Sequence, residues 1–265
     1  MTTSRLAVGG PPKALKKALM LPTVRLADVG AGRSHIAFGN EIDKPALLVS
    51  YFYLKQFQRH RPNYHFRDWV MDSGAYSAHN SGAEIDLDEY IETCRHLLET
   101  DPKLTEVFAL DVIGDWRASI KNCEKMWEAG IPAIPAFHPG EPEEALAAIA
   151  RDYPKIALGG LVGKHNKYKK KWLSQCFTRV WPKKIHGFGI ASRELLLSLP
   201  FHSTDATNWE LTPCAFGTWK SFGKMSVRGG EQNLRAEVEW YMRLERECRA
   251  KWAKEMKQLE DLECN

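Results

Sequence analysis

The chain has 265 residues, of which 44% are hydrophobic and 26% charged, and carries a formal net charge of +4. Length and balance describe a globular chain able to bury one large core, and exclude a disordered protein. The mild basic excess tolerates a polyanionic partner without demanding one, and no run approaches the ~18 apolar residues of a membrane helix.

Cys94, Cys123, Cys176, Cys214, Cys248 and Cys264 are scattered, with no Cys-x-x-Cys among them. Neither a zinc module nor a disulfide framework is legible, and with no signal-peptide pattern the expectation is a cytoplasmic protein with reduced thiols.

Residues 1–45 read as a lead-in. Residues 13–21 have helical spacing after Pro11-Pro12, and Gly30, Gly32 and Gly39 mark a loop. Gly30-Ala31-Gly32-Arg33 invites a phosphate-loop reading, but it lacks the full Gly-x-Gly-x-x-Gly spacing and a convincing strand before it. A solvated loop is the better reading.

From residue 46, β-rich apolar runs alternate with helical patterns. The runs cover 46–53, 68–72, 106–111, 131–137, 155–160, 185–190, 201–205 and 223–227. Residues 87–99 place Leu87, Tyr90, Ile91, Cys94, Leu97 and Leu98 on one helical side, with Asp86 and Asp88 near the start. Further helices are predicted over 116–129, 142–149, 169–180 and 192–199. Such alternation implies right-handed βαβ units and a parallel sheet. Periodicity alone also allows a doubly wound sheet, but eight strands in roughly 180 residues favour a single α/β domain folded as a (β/α)8 TIM-type barrel. Its core is 46–230, followed by a long charged helix over 231–265. Leu234, Val238, Tyr241, Met242 and Leu244 give that helix an apolar first half. The second half, with Trp252, Met256 and Leu259, reads either as solvated or as a surface for pairing in a homodimer.

In a parallel barrel the chemistry sits where strands end. The second run ends in Asp72-Ser73-Gly74-Ala75-Tyr76 and the third in Asp111. The fourth ends in Phe137-His138, the fifth in Gly159-Gly160-Leu161-Val162-Gly163, the sixth in Gly187-Phe188-Gly189 and the seventh in Asp205. Each aspartate alone is most simply a turn or helix cap. Together they put three carboxylates at one mouth, with glycines that admit a flat ligand and Tyr76 to stack on it.

Asp72-Ser73-Gly74-Ala75-Tyr76 resembles the Asp-Ser-Gly-Gly-aromatic signature of tRNA-guanine transglycosylases. Leu110-Asp111, the 159–163 loop, Gly187-Phe188-Gly189 and Ser203-Thr204-Asp205 resemble further motifs of that superfamily in the same order. The ordered set is most similar to the short, phage-encoded and bacterial DpdA-like DNA-guanine transglycosylases. The resemblance implies exchange of guanine in DNA for a free 7-deazaguanine such as preQ0, with no cofactor or metal. It also leaves two alternatives: the same chemistry on tRNA, or a non-catalytic nucleic-acid-binding paralogue. Another barrel enzyme, such as a glycoside hydrolase using Asp72 and Asp205, is a weaker third.

Residue by residue, the resemblance implies Asp205 as the nucleophile at the sugar C1′ and Asp72 as general acid and base. Asp111 accepts from the N1 and N2 hydrogens of the purine, backbone N–H groups around Gly159, Gly160 and Leu161 donate to O6, and Ser73, Gly74 and Tyr76 form the base-side loop. Guanine leaves poorly, so displacement is split into two steps through a glycosyl-aspartate, as in retaining glycosidases. Departures from the pattern are Ala75 for the usual second glycine, Ser77 where glutamine is frequent, and no Cys-x-Cys-x-x-Cys zinc site. His138 stands where the tRNA enzymes carry a base-reading glutamine, and either substitutes for it or is a turn histidine before Pro139-Gly140.

A target nucleotide in a duplex must first be extruded. Lys164, Lys167, Lys169, Lys170 and Lys171, interleaved with His165 and Tyr168, either contact its phosphates or form a solvated face. Arg228, Lys220 and Lys224 are secondary candidates, with Trp209 and Trp219 as wedges or core.

Overall fold

The computed structural model describes residues 22–27, 44–207 and 230–263. Among the described residues there are eight strands: β1 (Thr23–Leu26), β2 (Ala46–Ser50), β3 (Trp69–Asp72), β4 (Leu104–Val107), β5 (Ala136–Phe137), β6 (Lys155–Leu158), β7 (Lys184–Gly187) and β8 (Ser203–Ala206). All pairings are parallel, in the order β4-β3-β2-β1-β8-β7-β6-β5. The two ends of that order meet at a parallel bridge between Phe108 and Ile134. There the Ile134 N–H donates to Val107 O at 3.0 Å and the Ala109 N–H to Ile134 O at 2.9 Å. Each strand therefore neighbours those before and after it in the chain, and β1 pairs with β8, which is a (β/α)8 barrel.

The barrel begins earlier than expected. β1 lies inside the stretch read as a lead-in loop, so the core starts at Thr23 and not at residue 46. Its run is only four residues long and contains Arg25, a charge that disguises a strand until its partner is seen. The predicted strand at 223–227 falls outside the described residues, as do residues 13–21 and Gly30 to Arg33. The 46–53 run stops at Ser50, where Tyr51–Tyr53 form a 3-10 turn leading into α1 (Leu54–His60). Another unpredicted helix, α2 (Ala75–Ser81), is framed by Gly74 and Gly82 at φ +79° and +71°.

Helices α3 (Leu87–Thr100), α4 (Trp116–Glu128), α5 (Glu143–Asp152), α6 (Asn166–Val180) and α7 (Arg193–Leu196) form where apolar spacing predicted them. Asp86 caps α3 by accepting from the Glu89 N–H, and Asp115 caps α4 by accepting from those of Arg117 and Ala118, each contributing about 1 kcal/mol. A large outer core between sheet and helices includes Trp69, Phe57, Tyr90 and Met126. A smaller inner core of Ala27, Leu48, Val70, Phe108, Ile134 and Ala157 fills the barrel. Strand side chains alternate, so the same inner face carries Asp68 and Asp72 around Val70, Lys155 and Gly159 around Ala157, and Arg25 before Ala27.

The long helix α8 (Gly230–Glu263) buries Val238, Tyr241, Leu244 and Cys248, and its Glu245 accepts from the Val24 N–H at 3.0 Å. It breaks at Trp252 (φ −102°, ψ 15°), whose indole donates to Leu196 O at 2.8 Å. Met256 and Leu259 beyond the break are buried. Trp252, Met256 and Leu259 of the second half are thus packed within the chain rather than fully solvated. Among the described residues no helix is long and apolar enough to cross a membrane.

Candidate active site

Asp205 is the third residue of β8, on the inner face and only 4% exposed. Its Oδ1 accepts from the Gly189 N–H at 3.0 Å and lies 3.3 Å from His186 Nε2. His186 Nδ1 in turn sits 2.9 Å from Ser203 Oγ. Burial, with Lys155 and Arg25 nearby, drives the His186 pKa well below its ordinary value, so the ring is neutral. Facing a carboxylate, such a ring carries its proton on Nε2 and accepts the Ser203 hydroxyl at Nδ1. Burial pushes Asp205 up to about 7, against the opposing pull of the Gly189 N–H and Arg25. Gly189, at φ +64°, turns its N–H onto the carboxylate, while a Cβ on Gly187 would come within 2.7 Å of the Phe201 ring. Those two glycines therefore serve the strand and its aspartate. His186 escaped the sequence reading; its signal was a lone imidazole in an apolar strand, in register with Ser203.

Asp72 ends β3, and its Oδ2 accepts from the Gly74 N–H at 3.0 Å. Gly74 is obligatory at this turn, because a Cβ would lie 2.7 Å from Ser50 Oγ and 2.8 Å from Phe52 N. Ser73 is buried beneath the turn, whereas Tyr76, in the first turn of α2, is 59% exposed.

Asp111 follows β4 and meets His138, which follows β5, with Oδ2 to Nε2 at 3.5 Å. Glu141 grips His138 twice: one oxygen is 3.1 Å from Nδ1 and the other accepts the His138 backbone N–H at 3.0 Å. Burial disfavours the imidazolium, but Glu141 and Asp111 outweigh it and raise His138 above its ordinary value. Burial also raises Asp111 to about 6, with His138 opposing and Glu141 reinforcing. The space beside Gly159 and Gly160 belongs to this imidazole, since a Cβ on either would come within about 3.1–3.3 Å of the ring. The Gly159 N–H is spent on Phe137 O at 3.0 Å, Gly160 is exposed at φ +69°, and Leu161 is buried. The structure thus brings Asp111, His138, Gly159 and Gly160 together and adds Glu141, whose signal was its position three residues after His138.

Lys164, Lys167 and Lys170 are exposed in the loop after β6 and the start of α6, and Lys169 is half-buried. A cavity of ≈ 450 Å³ lies beside this run, lined by His165, Asn166, Lys167, Lys170, Lys171 and Glu194, away from the three aspartates. Lys170 pairs with Glu194 at 3.1 Å. Arg228, Lys220, Lys224, Trp209 and Trp219 lie outside the described residues. Lys155 is no candidate amine for this mouth: it opens β6 at the opposite end, with Nζ 2.9 and 2.6 Å from the two Glu106 oxygens. Among the described residues no group of three or more His, Cys, Asp and Glu is arranged to hold a metal ion.

Fold and site together define a (β/α)8 barrel whose C-terminal mouth carries Asp72, Asp111 and a buried Asp205. No protein-family model matches the chain, and no curated protein matches it. Among solved structures it is similar to one described as a fructose-1,6-biphosphate aldolase from Coccidioides immitis. The identity is 9% and the TM-score 0.46, over 88% of this chain and 90% of that one. Likeness at that level carries no information about chemistry.

Proposed function

We propose that the protein is a DNA-guanine transglycosylase that replaces guanine in DNA with a free 7-deazaguanine such as preQ0. The observation that carries the reading is Asp205: a buried carboxyl at a strand end, held through Oδ1 alone, with no lysine or arginine at ion-pair distance among the described residues. One oxygen is thereby oriented by the protein and the other is left for a ligand. Oδ2 attacks C1′ of the target nucleoside, and the C1′–N9 bond breaks as Asp72 delivers a proton to the departing guanine. The incoming 7-deazaguanine returns a proton to Asp72, attacks C1′ and expels Asp205. Asp111 accepts the two N–H groups of the purine edge, with His138 held beside it by Glu141. Adenine reverses that pattern and leaves Asp111 unpaired, which supports selection of guanine-type bases.

DNA rests on the resemblance to the short branch, so the test offers purified protein, labelled preQ0 and labelled guanine to duplex DNA, single-stranded DNA and tRNA in parallel. Incorporation into DNA is the expected result, together with a protein–DNA adduct that survives denaturant. Incorporation into tRNA alone overturns the polymer assignment, and a hydrolysed strand without base exchange overturns the reaction.

A further inference from the structure

Six large apolar side chains are exposed among the described residues: Phe52, Tyr76, Val112, Ile113, Val162 and Tyr168. Singly exposed apolar residues are ordinary, but these are not scattered. Phe52 follows β2, Tyr76 follows β3, Val112 and Ile113 follow β4, and Val162 and Tyr168 follow β6. In a parallel barrel those four connections converge on one end, the end that holds Asp72, Asp111 and Asp205. None of the six belongs to a loop at the opposite end.

The rim falls into two arcs. Phe52 sits against the Gly74 turn that leads to Tyr76, with Val112 and Ile113 in the connection after the next strand, β4. Val162 and Tyr168 lie across the Asp111–His138 contact, where the Lys164 ammonium is 5.9 Å from the Tyr168 ring centroid. Exposed aromatic and aliphatic side chains therefore stand in the connections on both sides of the Asp111–His138 contact, with exposed lysines in and after the connection that carries Val162. The matching ligand has apolar faces and an anionic backbone. A closed duplex offers only phosphates and groove edges, and would leave these side chains in water.

We propose, resting on the nucleic-acid half of the reading above, that the rim is a platform for unpaired bases on either side of the target. The polymer is then held as a single strand or a locally opened duplex, with its phosphates on Lys164, Lys167 and Lys171.

The test is fluorescence anisotropy with a labelled oligothymidine and with the same strand annealed to its complement, neither containing guanine. The expected result is at least about tenfold tighter binding of the single strand. Ile113→Ser with Val162→Ser lowers single-strand affinity about tenfold and leaves the slope of affinity against salt unchanged. Lys164→Gln, Lys167→Gln and Lys171→Gln together reduce that slope by about two to three. All five positions are exposed, and unchanged thermal unfolding of each variant verifies folding. Equal binding of duplex and single strand overturns the proposal. So does unaltered affinity in the rim variant, or self-association of wild type that the rim variant abolishes. Because no guanine is present, rim-dependent binding without any exchange in the earlier assay sinks the reaction and leaves the rim standing.

Discussion

The two ends of the barrel handle buried charge in opposite ways. At the N-terminal end Arg25 bonds Asp68 at 2.6 Å, Arg67 bonds both Asp68 and Glu245, and Lys155 bonds Glu106. Burial would raise both acids, yet Arg25 and Arg67 hold Asp68 below the usual carboxylate range and Lys155 does the same for Glu106. At the mouth, where among the described residues neither acid has a lysine or arginine at ion-pair distance, burial outweighs His138 beside Asp111 and the Gly189 N–H and the more distant Arg25 at Asp205, and lifts them to about 6 and about 7. The desolvation cost is similar in kind at both ends, and only at one is it offset. Paired charge fixes structure; a carboxylate left unneutralised marks a place where a ligand supplies the missing partner.

The sharpest way to break this comparison is to neutralise one acid at each end. Asp205→Asn is expected to lower exchange by about four orders of magnitude or more, the scale of losing a nucleophile, with folding intact. Single-turnover release of labelled guanine reads the loss, and retention of wild-type exchange would falsify the assignment. Glu106→Gln strands the Lys155 ammonium and is expected to cost about 3–5 kcal/mol in urea unfolding, while exchange per folded molecule persists. A cost near zero would remove the distinction between the ends.

Proton linkage sharpens it further. The folded pKa of Asp205, about 7, lies above the ordinary aspartate value of about 3.9. The folded state therefore keeps a proton that the unfolded chain has lost, and stability from this group declines as pH rises from about 4 to about 7. Asp205→Asn should match wild type near pH 4 and surpass it in thermal midpoint at pH 8. Glu106, whose pKa is lowered, works in reverse: its stability is present at neutral pH and lost on acidification, so the deficit of Glu106→Gln shrinks toward pH 3. Exchange by wild type should rise about tenfold per pH unit below 7 as Asp205 ionises. Parallel melting curves for both variants across pH would contradict the contrast.

The βα rhythm, five helices and the strand-end aspartates were legible because apolar periodicity and turn residues are local signals. β1 was not, because Arg25 makes sense only against Asp68, 43 residues away. The same holds for the glycines. Gly159 and Gly160 look like room for a ligand until His138 is found filling it, and Gly187 until Phe201 is found against it. Nor does anything local in Met256 or Leu259 reveal that a break at Trp252 folds them inward. Long-range partners decide which polar residues are free to act, and spacing along one chain does not record them.

The smallest expected effect comes from His186, which touches Asp205 and no substrate. Its ring packs 4.7 Å from the centroids of both Phe108 and Phe188, so His186→Phe keeps an aromatic ring among them while deleting the donor. The Gly189 N–H remains on the same oxygen, and the lost contact is long at 3.3 Å, so the expected loss in turnover is about tenfold, the value of roughly one hydrogen bond to a charged acceptor. A positioning role makes two further demands. The half-point of the exchange profile should move to higher pH, since the ionised Asp205 has lost a donor, and KM for the free base should stay constant. His186→Gln, which keeps an N–H donor, should restore both rate and profile. If Phe and Gln at this position depress turnover equally with the profile unmoved, His186 is packing alone, and orientation of Asp205 belongs to Gly189.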